Sequence, residues 1–125
     1  MADTLVALDL ETTGLDPTRD AIIQIGAVKF RGARIEDEYE TLVNPGVPIP
    51  GFITELTGIT DAMVVRAPVL AAALPELLRF VGNAPVIGHN LKFDLGFLQK
   101  HGALRNNDSI DTYDLASALL PSASR

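Results

Sequence analysis

The first third of the chain carries its apolar residues in a pattern of period two, which is typical of strands. Residues 4–10 are largely apolar on both faces of an extended strand, so we predict a strand in the centre of a sheet. Two further runs rich in β-branched and aromatic residues, 21–30 and 35–43, follow after turn-forming residues. Three strands in succession predict a meander.

The middle of the chain predicts a loop and then helices. Residues 44–51 read Asn-Pro-Gly-Val-Pro-Ile-Pro-Gly, which is too rich in proline and glycine for a sheet, so we expect a rigid loop. Short helical turns are expected around Ile53 and Asp61. Residues 68–80 are predicted to form a helix that Pro75 kinks or divides, since an internal proline removes a hydrogen bond and clashes with the preceding turn.

The last third predicts strands that alternate with helices. Residues 86–87 form a short buried strand, residues 90–101 a helix, residues 109–111 another strand and residues 112–120 another helix. The resulting order, β-β-β-α-β-α-β-α, predicts an α/β fold with a mixed central sheet flanked by helices. We assign residues 1–125 to one domain, because 125 residues leave no room for a second core of ordinary size.

The composition limits the classes of function. With 47% hydrophobic and 21% charged residues, the chain is globular and not disordered. The absence of Cys excludes disulfide frameworks, thiol nucleophiles and thiolate metal sites, and two His are too few for a His-rich metal site. No apolar run reaches membrane-spanning length and the N-terminus lacks the basic start of a signal peptide, so we expect a cytoplasmic protein.

The net charge bears on nucleic-acid binding. A formal charge of -6 argues against a generic nucleic-acid binder, since such proteins usually present a basic surface to the phosphates. An acidic protein that handles phosphates would need bound cations. An ATP-using enzyme is not indicated, because the chain has no Gly-x-x-x-x-Gly-Lys-Ser/Thr motif.

One carboxylate is predicted to lie on an apolar helix face. At 100° per residue, Asp94 falls in the middle of an arc of large apolar residues on the predicted helix 90–101. Because burying a lone charge is costly, Asp94 must be protonated, hydrogen-bonded or paired with a cation. The apolar residues of this arc are Leu91, Phe93, Leu95, Phe97 and Leu98.

Two more carboxylates stand together at the end of the first predicted strand. Asp9 and Glu11 are two residues apart, so both side chains project from one face. If Asp94 packs over the same end, three carboxylates converge, and hard divalent cations would offset their repulsion. The spacing leaves a plainer interpretation open, in which Asp9 and Glu11 are turn-entry acids and Asp94 is a first-turn acid satisfied by the helix dipole.

Acidic residues also begin the last predicted helix. Asp111 ends the strand that precedes it, and Asp114 follows three residues later. We interpret this pair as an N-terminal cap and a first-turn acid, and we prefer that interpretation to a catalytic role.

Four short motifs resemble a known family. They read Asp9-Leu-Glu-Thr-Thr-Gly-Leu15, Ile23-Gln-Ile-Gly26, Gly88-His-Asn-Leu-Lys-Phe-Asp94 and Ile110-Asp-Thr112. In order and spacing they resemble the DEDD superfamily of 3′-to-5′ exonucleases, of the DEDDh type, which includes proofreading epsilon subunits of DNA polymerase III. The resemblance covers essentially the whole chain, corresponds to the N-terminal part of the family's domain, and implies a ribonuclease H-like fold with its C-terminal part missing.

The resemblance implies a metal-dependent exonuclease that uses two Mg²⁺ or Mn²⁺ ions, one to activate water and one to stabilise the leaving 3′ oxygen. By the matching positions, Asp9 would bridge both ions. Glu11 would bind the ion that activates water, and Asp94 would hold the second. These three residues are the expected catalytic and metal-binding set.

Other motif positions imply contacts to the nucleotide. Thr12, Thr13 and Leu15 match positions that cradle the terminal nucleotide through backbone donors and apolar contact with its base. Asn90 and Phe93 match the family's second motif, and Asn90 joins the nucleotide-binding set. From the residues themselves, we expect Asn90 to cap the helix and Phe93 to pack in the core.

The chain departs from the family at the third motif. The family requires a general-base His and, five residues later, a fourth carboxylate, a few dozen residues beyond the last predicted strand. His89 and Asp94 have that spacing but already belong to the second motif, and His101 has Asn106 at the corresponding place. We therefore interpret the chain as an incomplete exonuclease domain of a longer protein and expect this chain alone to be inactive.

Two hypotheses about function stay open. The first is an exonuclease that is polymerase-associated, fused to a helicase or stand-alone, acting on single-stranded 3′ ends of DNA, with RNA as a second substrate class that the sequence does not distinguish. The second is a degenerate module that binds nucleic acid or a partner protein without cutting. The intact Asp9, Glu11 and Asp94 favour the first. No membrane partner is expected.

Overall fold

The computed structural model describes residues 3–112, and this part contains five strands and four helices. The strands are β1 (Thr4–Thr12), β2 (Ile22–Arg31), β3 (Arg34–Leu42), β4 (Val86–Gly88) and β5 (Ser109–Asp111). The helices are α1 (Gly51–Thr57), α2 (Asp61–Val64), α3 (Leu70–Val81) and α4 (Leu91–Gln99). These elements confirm the predicted order as far as β5. The predicted helix 112–120 and Asp114 lie outside the described residues, apart from its first residue.

β1 lies in the middle of the sheet, as the apolar character of both its faces predicts. The strand order is β3-β2-β1-β4-β5. The pairs β1–β2 and β2–β3 are antiparallel, and the pairs β1–β4 and β4–β5 are parallel. The register pairs Ala7 with Ile87 and Gly88 with Asp111, so β4 and β5 end beside the carboxyl half of β1. Asp9 and Glu11 therefore lie just past the ends of the two parallel strands.

One face of the sheet is covered by α3 and α4. Val6, Leu8 and Leu10 of β1 are buried in the same core cluster as Leu77 of α3 and Leu91 of α4. A second, smaller cluster joins β2 to α1 and α2. Burial of this apolar surface is what holds the helices on the sheet.

The opposite face of the sheet is open. Ala7, Val28 and Ile87 share this face by register, and they line a cavity of about 620 Å³ together with Asp9 and Glu38. Half-buried apolar side chains next to acidic ones are typical of a surface that contacts something else. The site carboxylate of Asp9 belongs to this open face.

α3 runs without interruption through Pro75, so of the two predicted effects, a kink or a division of the helix, the division is wrong. The missing N–H of Pro75 would have bound the carbonyl of Ala71, a residue that is exposed, so water can reach that carbonyl. On the inner side of α3, Ala73, Leu77 and Val81 are buried, and this burial outweighs the lost hydrogen bond. Within residues 3–112, none of the helices is long and apolar enough to span a membrane.

Candidate active site

Asp9 and Glu11 stand at the carboxyl end of β1 with their side chains on the same face. Asp9 lies opposite Gly26 of β2, and Glu11 lies opposite Gln24. Because Gly26 has no side chain, the space across from Asp9 stays clear. Partial burial and the charge of Asp9 raise the pKa of Glu11. The two carboxylates are therefore close enough to repel each other.

Asp94 lies in the first turn of α4 and is only 5% exposed. Its carboxylate accepts a hydrogen bond from the backbone N–H of Leu10, which ties α4 to β1. Burial and then the charge of Asp9 raise the pKa of Asp94 to about 7, although the bond from Leu10 opposes this shift. The charges of Glu11 and Asp111 add to it. The three predicted carboxylates and Asp111 thus share one electrostatic environment.

The donor chemistry of this group suits a divalent cation. The charges that raise the pKa of Asp94 are those of three further carboxylates, Asp9, Glu11 and Asp111. Carboxylate oxygens are the ligands that Mg²⁺ and Mn²⁺ prefer. Between residues 3 and 112, however, no three His, Cys, Asp or Glu side chains are already arranged to hold a metal ion. The carboxylates lie near one another, and binding a cation would require them to move closer together.

The threonines of the first motif shape the loop between β1 and β2. The hydroxyl of Thr12 donates to the carbonyl of Gly14 at 2.7 Å, and the hydroxyl of Thr13 accepts from the N–H of Ala21 at 2.9 Å. A Cβ on Gly14 would lie 2.4 Å from a carboxylate oxygen of Asp20, so a larger residue there would have to displace the Asp20 side chain. Both threonine hydroxyls are therefore engaged within the protein.

A cavity of about 970 Å³ lies beside this loop, between α1 and α4. Its lining includes Leu10, Glu11, Thr12, Thr13, Leu15, Phe52, Leu56 and Phe93. Leu15 is 83% exposed, Phe52 66% and Leu56 79%. Large apolar side chains that stay exposed next to a carboxylate are typical of a ligand site.

Phe52 and Leu56 were not predicted from the sequence as site residues. Both lie on α1, four residues apart and therefore on one helix face, whereas Ile53 is buried in the second core cluster. The spacing of two large apolar residues on a face without a core partner was a signal that could have identified them. Their proximity to the first motif depends on long-range packing, which the spacing does not reveal.

In the second motif, Asn90 does not cap α4 as expected. Asn90 precedes α4 with φ 56° and ψ 45°, and its side chain makes no capping hydrogen bond, so the predicted cap is wrong. The ring of Phe93 lies 5.0 Å from that of Phe97 and packs against the core, as predicted, and it also borders the cavity. Asp111 accepts a hydrogen bond from the N–H of Asn90 at 2.9 Å, an interaction that the predicted capping role did not include.

The histidines are both exposed. Nδ1 of His89 lies 3.4 Å from Oγ1 of Thr112, in the turn between β4 and α4. His101 lies past the end of α4 that is opposite to Asp94. This placement agrees with the interpretation that neither histidine supplies the third motif.

A family model described as "RNase_T: Exonuclease" matches residues 6–125. The chain belongs to this exonuclease family. Membership confirms the predicted family and assigns a nuclease, a hydrolase of phosphodiester bonds. Exonucleases of this family depend on divalent metal ions, which agrees with the carboxylates at the end of β1.

Two curated relatives illustrate the relationship. The chain is 44% identical over 118 residues to a DNA polymerase III PolC-type from Caldanaerobacter subterraneus subsp. tengcongensis, covering 91% of this chain and 8% of the relative. It is 41% identical over 123 residues to a DNA polymerase III subunit epsilon from Aquifex aeolicus, covering 94% of this chain and 61% of the relative. The chain thus spans less than two thirds of either protein.

Solved structures confirm the fold. Exonuclease X, in complex with 5′ overhanging duplex DNA, superposes with a TM-score of 0.78 at 29% identity, covering 94% of this chain and 64% of the other. An exonuclease I structure with bound product gives a TM-score of 0.79 at 19% identity, covering 98% of this chain and 34% of the other. Both are exonucleases of the predicted ribonuclease H-like fold.

Proposed function

We propose that this chain is the N-terminal part of a 3′-to-5′ exonuclease domain, which removes nucleotides from 3′ ends of DNA within a longer protein. The observation that carries the proposal is the buried Asp94 beside Asp9 and Glu11, next to an exposed apolar cavity. A cluster of carboxylates that can bind cations lies beside an apolar surface that can bind a base. This combination suits a substrate that carries both a phosphate and a nucleobase. DNA is the proposed substrate because the relatives are named as DNA polymerases and exonuclease X was solved with DNA.

The proposed metal ligands are Asp9, Glu11 and Asp94, and the proposed ions are Mg²⁺ or Mn²⁺. In this assignment Asp9 would help to hold both ions, Glu11 would help to hold one of them and Asp94 the other. Two divalent ions would supply an activated water and charge compensation at the leaving oxygen. The chain's own part is to hold Asp94 in place through the N–H of Leu10, while the carboxyl end of β1 carries the other two carboxylates.

The cavity beside the first motif is the proposed site of the terminal nucleotide. Leu15, Phe52, Leu56 and Phe93 offer apolar surface to a base, and stacking or apolar contact with a base is typically worth about 1–3 kcal/mol. The hydroxyl of Thr12 donates within the loop, so Thr12 would act through its backbone group. The backbone N–H of Thr13 donates to the carbonyl of Ala21 at 2.8 Å, whereas its hydroxyl only accepts there, so Thr13 would act through its O–H. Asn90 stays in the proposed set as an exposed residue of the second motif.

The remaining catalytic groups are proposed to come from the longer protein. A general-base His and a fourth carboxylate would complete the site, and the relatives extend well beyond the matched region. A polymerase is the proposed partner, either in the same chain, as in the PolC-type relative, or as a separate subunit. A helicase fusion and a stand-alone enzyme remain alternatives for the parent protein.

The experiment uses the longer protein that contains this chain and a single-stranded DNA labelled at its 5′ end. We expect Mg²⁺-dependent release of mononucleotides from a free 3′-hydroxyl, and slower release from a 3′-phosphate, whose added charge meets the carboxylates. Asp9→Asn should abolish release, whereas Asp37→Asn, which removes the same charge from β3, should not. Release from the 5′ end, or equal degradation of both substrates, would contradict the proposal.

The alternative is a module that binds DNA or a protein without cutting. One observation favours it, namely that the described carboxylates are not prearranged as a metal-binding set. Calorimetric titration of Mn²⁺ separates the two functions. Binding that Asp9→Ala removes supports the exonuclease. DNA binding without any Mn²⁺ binding or cleavage supports the binding module.

A further inference from the structure

The turn that joins β4 to α4 has an unfavourable backbone conformation. Asn90 has φ 56° and ψ 45°, the left-handed region that residues other than glycine rarely adopt, although Asn tolerates it better than most. Its side chain forms no capping bond to α4. Other groups must therefore hold this turn.

β5 supplies such groups from 21 residues away in sequence. Oδ1 of Asp111 accepts a hydrogen bond from the N–H of Asn90 at 2.9 Å. The next residue, Thr112, donates its hydroxyl to the carbonyl of Gly88 at 3.2 Å. Consecutive residues of the chain thus contact both ends of the turn. A carboxylate is a stronger acceptor for an N–H than a neutral oxygen.

β1 confines the same turn from the other side. A Cβ on Gly88 would lie 2.8 Å from the carbonyl oxygen of Leu8 and 3.1 Å from Cδ1 of Leu91. The end of β4 is therefore pressed against β1. Since β1 blocks movement in that direction, the contacts from β5 decide where the turn lies.

The position of this turn sets the position of Asp94. Asp94 lies four residues after Asn90, in the first turn of α4, so its backbone follows the start of the helix. Its carboxylate must reach the N–H of Leu10 on β1. A shift of the helix start would lengthen that hydrogen bond and move Asp94 away from Asp9.

We propose that Asp111 is a positioning residue that holds the left-handed turn at Asn90 and thereby places Asp94 beside Asp9. The inference rests on the proposed function, because it concerns the same carboxylate site. Asp111 acts here as a hydrogen-bond acceptor and not as a ligand. Groups behind a metal ligand typically change metal affinity by about 10–100-fold when they are removed.

The test compares Asp111→Ala with Asp111→Asn in the longer protein that contains this chain. Calorimetric titration measures Mn²⁺ affinity, and hydrogen exchange followed by NMR measures protection of the Leu10 amide without metal. Asp111→Ala should weaken Mn²⁺ binding by about 10–100-fold and speed exchange at Leu10. Asp111→Asn retains an acceptor oxygen and should stay close to the wild type. Asp108→Ala, which removes the same charge just before β5, is the matched control and should change neither measurement.

A rescue variant tests the route through the turn. Glycine adopts the left-handed conformation without a steric penalty, so Asn90→Gly reduces the need for support from β5. Adding Asn90→Gly to Asp111→Ala should therefore recover part of the Mn²⁺ affinity and of the protection at Leu10. A residue that binds the cation directly would not be replaced in this way.

The outcomes separate the inference from the proposed function. If the wild type binds no Mn²⁺, the metal site is wrong, and exchange at the Leu10 amide still decides the role of Asp111. Wild-type behaviour of Asp111→Ala in both measurements overturns the inference. Equal loss in Asp111→Asn and Asp111→Ala also overturns it, because the charge would then be the essential feature. If Asp111→Ala does not fold, Asp111→Asn decides: wild-type behaviour supports positioning, and loss overturns it.

Discussion

The covered face of the sheet and the carboxyl end of β1 use neighbouring residues of the same strand, but they affect stability in opposite directions. Leu8 and Leu10 point into the core against α3 and α4, where burial of apolar surface stabilises the fold. Asp9 and Glu11 alternate with them and gather with Asp94 into a group of like charges, which opposes folding. One region thus supports the structure, and the other holds repulsion that a bound cation would relieve.

The largest expected effect comes from completing the charged region. We predict that the 125-residue chain alone is nearly inactive, while the longer protein releases mononucleotides from 3′ ends in Mg²⁺. Without the general base the water must lose its proton unaided, which typically costs about 10²–10⁴-fold in rate. The longer chain should also cover the open face of the sheet around Val28 and raise the melting temperature. Nuclease rates and thermal unfolding of both proteins measure this.

The matched control is the longer protein with its third-motif His changed to Ala. Its rate should fall toward that of the short chain while its melting temperature stays high. Two findings would count against the prediction: equal rates for the short and long proteins, or a continuation that contains neither the His nor the fourth carboxylate.

Substitutions at two adjacent residues, Leu8 and Asp9, should distinguish the roles of the two regions most directly. Asp9→Asn should lower the nuclease rate by about 10²-fold or more, because a metal contributes several kcal/mol to the transition state, and it should leave stability nearly unchanged or slightly higher. Leu8→Ala should lower the free energy of unfolding by about 2–5 kcal/mol, because it opens a cavity in the core. Urea unfolding and nuclease assays on the same preparations measure both effects. The contrast fails if Asp9→Asn is the less stable of the two.

Without metal, stability should fall as the pH rises. Asp94 has a pKa of about 7 in the folded protein against a usual value of 3.8, so the folded state binds this proton more tightly than the unfolded state. The contribution of Asp94 to stability is therefore largest below about pH 4. It declines between about pH 4 and 7 and is constant above that range. The raised pKa of Glu11 acts in the same direction.

Urea unfolding in a chelator at pH 5 and pH 8 measures this dependence. Asp94→Asn should flatten the profile, since its side chain does not titrate. Glu76→Gln on α3 is the comparison variant and should retain the slope. A protein that is more stable at pH 8 than at pH 5, or an unchanged slope in Asp94→Asn, would refute the assignment.

The sequence predicted the covered face better than the charged region, for a physical reason. Burial along β1 and α4 follows from local periodicity, so the strand, the helix and the inward direction of Asp94 could be derived from the spacing of Leu91, Leu95 and Leu98. Tertiary packing overrode a local rule at Pro75, where buried neighbours keep α3 continuous. Local rules therefore suffice where the core enforces them.

The surroundings of the site depend on contacts between distant parts of the chain. Asp111 binds the N–H of Asn90 across 21 residues of sequence, and Phe52 on α1 lines the same cavity as the first motif. No local pattern encodes these distances, which is why Asp111 was interpreted as a cap of its own helix. The motifs and the family resemblance identified the carboxylates, but not what positions them.

The smallest expected effect concerns the exposed apolar residues beside the charged region. Leu56→Ala should raise the KM for single-stranded DNA by up to about tenfold, which corresponds to 1.4 kcal/mol of lost contact with a base. The value of kcat should change little, because Leu56 lies on α1, whereas the carboxylates lie on β1 and α4, and in this proposal it contacts only the bound nucleotide.

Met63 on α2, 48% exposed and outside the cavity, offers a matched control. Met63→Ala should leave both constants unchanged. Steady-state kinetics on a short oligonucleotide, where few other contacts contribute, give the sharpest measurement. Equal changes in KM for the two variants would show that exposed apolar surface in general, and not this cavity, binds the strand.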